Sequence, residues 1–238
     1  MDKLIFLDTE TTGIDLLNDR LFQICFSYLN NISSEYFLPD LPISVKSQSI
    51  THVTNKMIAG KDKFTNSKMQ KELQKLLKEN ILVAHNAVFD VYMLSKEGVE
   101  VPQFICTLKI ARFLDTEGEI PEYNLQFLRY YFELEVEAEA HSAKGDVLVL
   151  EALFKKLYAK MLEIHKDPET VIGKMIEISK LPLVFRSFNF GKYKGRKIKE
   201  ILETDKGYLE WLLAQKLQNE GEDSDWIYTL KHYLGKNS

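Results

Sequence analysis

Residues 3–13 read Lys3-Leu-Ile-Phe-Leu-Asp-Thr-Glu-Thr-Thr-Gly13, and their reading decides the fold. Leu4 to Leu7 is a short apolar run closed by a carboxylate, the pattern of a buried strand over Lys3–Asp8. The run is far too short for a signal peptide or a membrane span, and no later segment reaches membrane length. Side chains alternate along a strand, so Asp8 and Glu10 project to the same side, and Gly13 lets the chain turn away. Two close carboxylates repel and are costly to bury unless a cation sits between them. An Asp-x-Glu pair on its own is ordinary surface. Directly after a buried strand and before Thr-Thr-Gly it is much rarer.

Working outward, Leu21–Leu29 and Glu35–Leu38 read as strands, with Asn30-Asn31 between them as turn chemistry. With the first strand they predict an antiparallel meander. Met69–Leu77 carries apolar residues at helical spacing, and Ile81–Ala84 is a fourth strand. Val88–Lys96 is a helix that Asn86 can cap. Ile105–Thr107 is a short strand running into a helix, and Leu125–Phe132 is helical. Ser142 is the N-cap expected for a long helix through Ala159, with Val147, Leu150, Leu153, Phe154 and Leu157 on one face. Lys166-Asp167-Pro168 breaks that helix, and Glu169–Lys180 forms a connecting one before Pro182. Beyond it lies a segment rich in Gly, aromatic and basic residues, then a helix with Tyr208, Leu209, Trp211, Leu212 and Leu213. The division expected is a domain over 1–165, a helical linker over 166–182 and a small domain over 183–238.

Two further constellations carry chemistry. His85-Asn-Ala-Val-Phe-Asp90 follows the fourth strand and places Asp90 about one turn into its helix. His141-Ser-Ala-Lys-Gly-Asp146 places Asp146 likewise, with His141 in the loop before the helix. Taken singly, each has a bland reading: an acidic first turn suits a helix dipole, and a lone loop histidine is usually inert. Taken together, Asp8, Glu10, Asp90 and Asp146 form an oxygen-only set from three elements, which suits Mg²⁺ or Mn²⁺ and disfavours zinc. Two divalent ions about 3.5–4 Å apart are the standard device for in-line attack on a phosphodiester. A neutral histidine beside them can take a proton from the attacking water.

Charge is uneven along the chain. The net charge is −4, the opposite sign from a protein with a broad basic nucleic-acid-binding face. Residues 115–139 hold eight acidic side chains against Arg129 alone. Between Arg186 and Lys199 stand six basic residues and no acidic one, interleaved with Phe188, Phe190 and Tyr193. Lys192, Lys194, Arg196 and Lys197 are therefore candidates for tracking phosphates. The aromatics of so short a domain, with Trp211, are better spent on its own core. Cys25 and Cys106 are far apart in apolar surroundings, which fits buried free thiols of a cytoplasmic protein.

The segments Asp8–Gly13, His85–Asp90 and His141–Asp146 resemble the three motifs of the DEDDh, or DnaQ-like, 3′→5′ exonucleases. The resemblance spans about residues 3–158. Ser49-Ile-Thr-His-Val-Thr-Asn-Lys-Met57 is similar to the Gly-Ile-Thr…Met segment often found between the first two motifs, with Ser49 where Gly is commoner. The tyrosine subclass would need Tyr at position 142, which is Ser. Phe190-Gly-Lys-Tyr-Lys-Gly-Arg196 and Tyr208-Leu-Glu-Trp211-Leu resemble the small C-terminal domain of exodeoxyribonuclease X-like proteins. The resemblance implies an α/β, RNase H-like fold: a five-stranded mixed sheet flanked by helices, plus that small domain. It implies two Mg²⁺ ions, replaceable by Mn²⁺, on Asp8, Glu10, Asp90 and Asp146. It makes His141 the general base; His85 is the next candidate on its position alone, since the resemblance gives it at most a secondary role. Thr11, Thr12 and Phe89 would meet the terminal nucleotide, and the product would be a nucleoside 5′-monophosphate. The expected partners are DNA 3′ ends, mainly single-stranded, with a DNA polymerase or a second copy of the chain as further possibilities and no membrane. The same chemistry on RNA, and a nonenzymatic nucleic-acid-binding module, are the rival readings.

Overall fold

In the computed structural model, which describes residues 2–137, 143–219 and 223–236, the opening stretch forms β1 (Leu4–Thr11). The strand continues past Asp8, where the sequence reading ended it. Its polar end keeps partners on β2 (Leu21–Tyr28): Thr9 faces Ile24, Glu10 faces Gln23, and a bulge precedes the Thr11–Leu21 pair. Threonine suits a pleated strand, so the polar run is no barrier to pairing. Asp8 and Glu10 thus both sit on regular strand and share one face.

The sheet runs in the order β3-β2-β1-β4-β5. β3 (Asn31–Tyr36) pairs antiparallel with β2, and β4 (Ile81–Ala84) and β5 (Phe104–Cys106) extend the other side in parallel. This is the five-stranded mixed sheet of an RNase H-like fold. β3 begins earlier than Glu35. Asn31 pairs with Tyr28, so the hairpin turn is Leu29-Asn30, whose φ angles of 49° and 64° are both left-handed. Polar Ser33 and Ser34 obscured the start of this edge strand.

The two faces of β1 are covered differently. Ile5 and Leu7 join a core with Leu73 and Leu77 of the helix Lys68–Leu77, and with Leu94 of the helix Ala87–Lys96. Phe6, on the opposite face, meets Phe154 edge-to-face at 5.4 Å. Phe154 belongs to the long helix Ala143–His165, which runs beyond Ala159 and buries Val147, Leu150, Leu153, Leu157 and Met161. Its expected cap, Ser142, lies outside the described residues. In chain order the helices are α1 (Val45–Thr51), α2 (Asn55–Ile58), α3 (Lys68–Leu77), α4 (Ala87–Lys96), α5 (Thr107–Leu114), α6 (Leu125–Tyr131), α7 (Ala143–His165), α8 (Pro168–Lys180), α9 (Ile198–Thr204), α10 (Lys206–Lys216) and α11 (Ser224–Tyr233). Among the described residues no helix is long and apolar enough to cross a membrane.

Packing divides the chain into two units, Met1–Leu108 with Asn124–Ile176, and Lys109–Tyr123 with Glu177–Ser238. Residues 109–123, which the sequence reading kept in the first domain, group with the C-terminal segment. Arg112 explains part of this: its guanidinium lies 4.1 Å from the Tyr123 ring and 5.5 Å from Phe185. Arg186 also donates to the Asp115 carbonyl at 3.2 Å. The core of the second unit gathers Phe188, Ile198, Ile201, Leu209, Leu212, Leu213, Trp226, Ile227 and Leu230. Trp211, expected there, is 54% exposed; the core tryptophan is Trp226, at 7%.

Candidate active site

The site lies at the carboxyl ends of the parallel strands β1 and β4, where open α/β sheets commonly place ligands. Asp8 and Glu10 face the side that α7 covers, and Asp146 enters from the first turn of α7. One carboxylate oxygen from each of these three lies within 4.8 Å of the other two. Asp90, in the first turn of α4, is buried and accepts a hydrogen bond of 2.7 Å from the Thr9 hydroxyl. Thr9 points to the opposite face from its neighbours Asp8 and Glu10, so Asp90 reaches the group around the strand end. Both α4 and α7 present an N-terminal turn to these carboxylates, where the helix dipole favours negative charge.

Burial, then the neighbouring charges of Glu10, Asp90 and Asp146, hold the Asp8 carboxyl well above its ordinary range. Glu10 is pushed up to about 7 by burial and by the charges of Asp146 and Asp90. Asp90 is raised to about 7 by burial, which outweighs its hydrogen bonds from Thr9. A displacement from 4.5 to about 7 at Glu10 corresponds to a cost on the order of 3 kcal/mol for the ionised form. Each large apolar side chain that α7 buries contributes about 1.5–3 kcal/mol. Several such side chains anchor the helix, so the repelling carboxylates stay together. Three or four oxygen ligands with nothing softer among them, crowded enough to hold protons near neutrality, fit a divalent cation of the Mg²⁺ class. The cluster Asp8, Glu10 and Asp146 could hold such an ion.

Two supporting residues escaped the sequence reading. Thr9 orients Asp90, and Gln126 of α6 donates to the Asp146 carboxylate at 2.6 Å. The strand alternation could have marked Thr9. Nothing local marks Gln126, because its partner is distant in sequence.

His141 lies outside the described residues. His85 places Nδ1 2.9 Å from the Thr107 hydroxyl. Asn86 stands at the N-terminal boundary of α4 but makes no side-chain cap; it is left-handed, with φ 62°. Thr12 is fully buried; its hydroxyl donates to Asp19 at 2.7 Å and accepts from the Arg20 amide at 3.0 Å. The Thr11 hydroxyl donates to the Gly13 carbonyl at 2.6 Å. Both threonine side chains are thus engaged in shaping the loop after β1. Phe89 is half-buried in the first turn of α4.

Lys192, Lys194, Arg196 and Lys197 belong to the second unit. Lys192 pairs with Asp205 at 3.2 Å and Arg196 with Glu200 at 3.3 Å. Lys197 donates to the Glu117 carbonyl at 2.8 Å. Lys194 is exposed and has no ion-pair partner among the described residues.

Comparison with known proteins agrees with this geometry. The family described as Exonuclease matches residues 5–154, and the Exodeoxyribonuclease X-like C-terminal family matches residues 188–216. Exodeoxyribonuclease 10 of Escherichia coli K12 is 28% identical over 238 residues, covering 97% of this chain and 98% of its own. The DNA polymerase III subunit epsilon of Treponema pallidum is 31% identical over 163 residues, covering 64% of this chain and 74% of its own. A solved structure of exonuclease X in complex with 5′-overhanging duplex DNA superposes with a TM-score of 0.58 at 26% identity, covering 74% of this chain and 99% of that one. With a carboxylate group at the head of its mixed sheet and a family match across most of the first unit, the chain belongs to the exonuclease family and is a 3′→5′ exonuclease.

Proposed function

We propose that this exonuclease hydrolyses DNA from 3′ ends, preferring single strands, and releases nucleoside 5′-monophosphates. The observation that carries the reading is the convergence of Asp8, Glu10 and Asp146 within 4.8 Å, with Asp90 beside them. Asp8, Glu10, Asp90 and Asp146 hold two Mg²⁺ ions, for which Mn²⁺ substitutes. Bound there, the cations supply Lewis-acid polarisation of the scissile phosphate and neutralise its charge. His141 accepts the proton of the attacking water as general base. Thr9 and Gln126 keep Asp90 and Asp146 aimed at the centre. Phe89 packs beside the terminal nucleotide, and the loop that Thr11 and Thr12 shape lies next to it. DNA is favoured as substrate by the relatives: an exodeoxyribonuclease, a DNA polymerase subunit, and an exonuclease structure with DNA bound. Single strands are favoured because the reacting phosphate must enter a buried carboxylate group.

The test is digestion of 5′-labelled and 3′-labelled oligonucleotides of DNA and RNA, single- and double-stranded, with Mg²⁺ or with EDTA. A ladder shortening from the 3′ end of single-stranded DNA, absent in EDTA, is expected. Equal cutting of RNA would move the substrate to nucleic acid in general. Cutting in EDTA would remove the metal assignment.

A further inference from the structure

The second unit leaves the ring of Trp211 outside its core, and that ring does not stand alone. The core is well supplied: Trp226 stacks on Phe185 at 4.8 Å and on Phe188 at 5.4 Å, with Phe190 edge-on at 4.9 Å. Trp211 instead lies 54% exposed on α10. A single exposed apolar side chain needs no explanation. Trp211, however, continues a row of rings. Tyr193 meets Tyr208 edge-on at 4.9 Å, and Tyr208 meets Trp211 at 5.5 Å with the planes tilted by 37°. The Lys192 ammonium stands 4.6 Å from the Tyr193 ring and 5.9 Å from the Tyr208 ring. The Arg196 guanidinium stands 5.9 Å from Tyr193.

The row is held in place from inside the unit. Asp205 accepts hydrogen bonds from the Tyr193 hydroxyl, the Tyr208 amide and Lys192, so its charge is spent locally. Gly191 is left-handed, with φ 69°, and a Cβ there would come within 3.2 Å of the Tyr208 hydroxyl. One turn before Trp211 on α10 stand Gly207 and Tyr208, and one turn after it Ala214 and Gln215; Gly207 and Ala214 offer little side chain to cover the indole. A Cβ on Gly207 would meet nothing nearer than 4.0 Å. Two acidic residues of α9 and α10 are matched: Glu200 pairs with Arg196, and Glu210 lies 3.8 Å from Lys206. Lys194 remains exposed without an ion-pair partner among the described residues.

We propose that the Tyr193–Tyr208–Trp211 row, edged by Lys192 and Lys194, is a docking strip for single-stranded DNA, with bases stacking on the rings and phosphates lying along the lysines. The occupant follows from the chemistry. Flat rings beside cations accept any base face, and duplex DNA keeps its base faces hidden in the stack. The inference rests on DNA as the substrate class of the enzyme, but it assigns a second, noncatalytic surface for that strand.

The full-length protein in EDTA, which prevents digestion, is titrated with dT20 while tryptophan fluorescence is recorded. The chain has two tryptophans, and Trp226 is only 7% exposed, so quenching reports on Trp211. Saturable quenching is expected from dT20 and not from a blunt duplex of the same length. By anisotropy of labelled dT20, Trp211→Ala should bind about five- to a hundredfold more weakly, and Trp211→Phe should bind nearly as wild type. The melting temperature of both variants should match the wild type, since the ring is outside the core. Trp211→Ala should also digest a trinucleotide at the wild-type rate. Unquenched fluorescence at saturating dT20, or wild-type affinity in Trp211→Ala, would overturn the strip. Quenching in a protein that digests no DNA would instead sink the proposed activity and leave the strip standing.

Discussion

The carboxylate end of the first unit and the aromatic strip of the second place polar chemistry under opposite conditions. Asp8, Glu10 and Asp90 are held against the cost of burial, and Asp8 and Glu10 also against neighbouring carboxylate charge, on a central strand and a helix N-terminus, by a core that outweighs the cost. Lys192, Lys194 and Arg196 sit in water at little cost. The difference teaches where each kind of work can be done. Groups that must meet a cation within a fraction of an ångström need a rigid buried frame, and their strain is relieved when the cation arrives. Groups that hold a flexible strand need only reach and charge.

The largest effect should come from breaking the strained side. Asp8→Ala is expected to lose activity altogether in a digestion assay while remaining folded. Without metal it should be no less stable than wild type by thermal melting, because the lost group was repelled by its neighbours. The pH dependence sharpens the point. Folded Glu10 and Asp90 take up protons near pH 7, whereas unfolded carboxyls do so near pH 4. Between those values the folded state binds more protons than the unfolded one, so metal-free stability falls as pH rises from about 4 to about 7. Mg²⁺ should therefore raise the melting temperature more at pH 8 than at pH 5. An equal rise at both would deny that the carboxyls hold protons in the absence of metal.

Next in size is His141→Ala, with a loss of about 10²–10⁴-fold in rate and no loss of metal binding. Wild-type rate should climb through the neutral range as the imidazole loses its proton; an unchanged rate and profile in the variant would point to another base. Smaller again are Thr9→Val and Gln126→Leu, each about 10–100-fold in activity or metal affinity. A loss confined to melting temperature would make their hydrogen bonds merely structural. Smallest is the replacement of Lys192, Lys194, Arg196 and Lys197 by Ala. It should leave short oligonucleotides cut at the wild-type rate. For long single strands it should flatten the salt dependence of binding, by about 0.7 in logarithmic slope for each phosphate no longer neutralised. An unchanged slope would remove these four from substrate holding.

Much of the first unit was legible because the apolar run of Leu4–Leu7 and the paired carboxylates after it obey strand alternation, a local rule. The extension of β1 to Thr11 was not, since it depends on β2 supplying partners to a polar run. The Leu29-Asn30 turn was missed by one position because leucine gives no hint of left-handed backbone. Gln126 was illegible for a different reason: helix α6 meets α7 only in the folded chain. In the second unit the composition rightly suggested that Phe188 serves the core, but it could not rank two tryptophans. Trp226 wins the core because Phe185 and Phe188 both stack against it, and Trp211 is left on the surface.

One measurement bears most directly on the carboxylate group as a cation site: Mn²⁺ binding followed by electron paramagnetic resonance, with a nucleoside 5′-monophosphate present, in wild type and Asp8→Ala. Two ions per wild-type chain at pH 8 are expected, with at least one lost in the variant and both weakened at pH 5. No saturable Mn²⁺ binding by the wild type, or the same stoichiometry and affinity in Asp8→Ala, would contradict it.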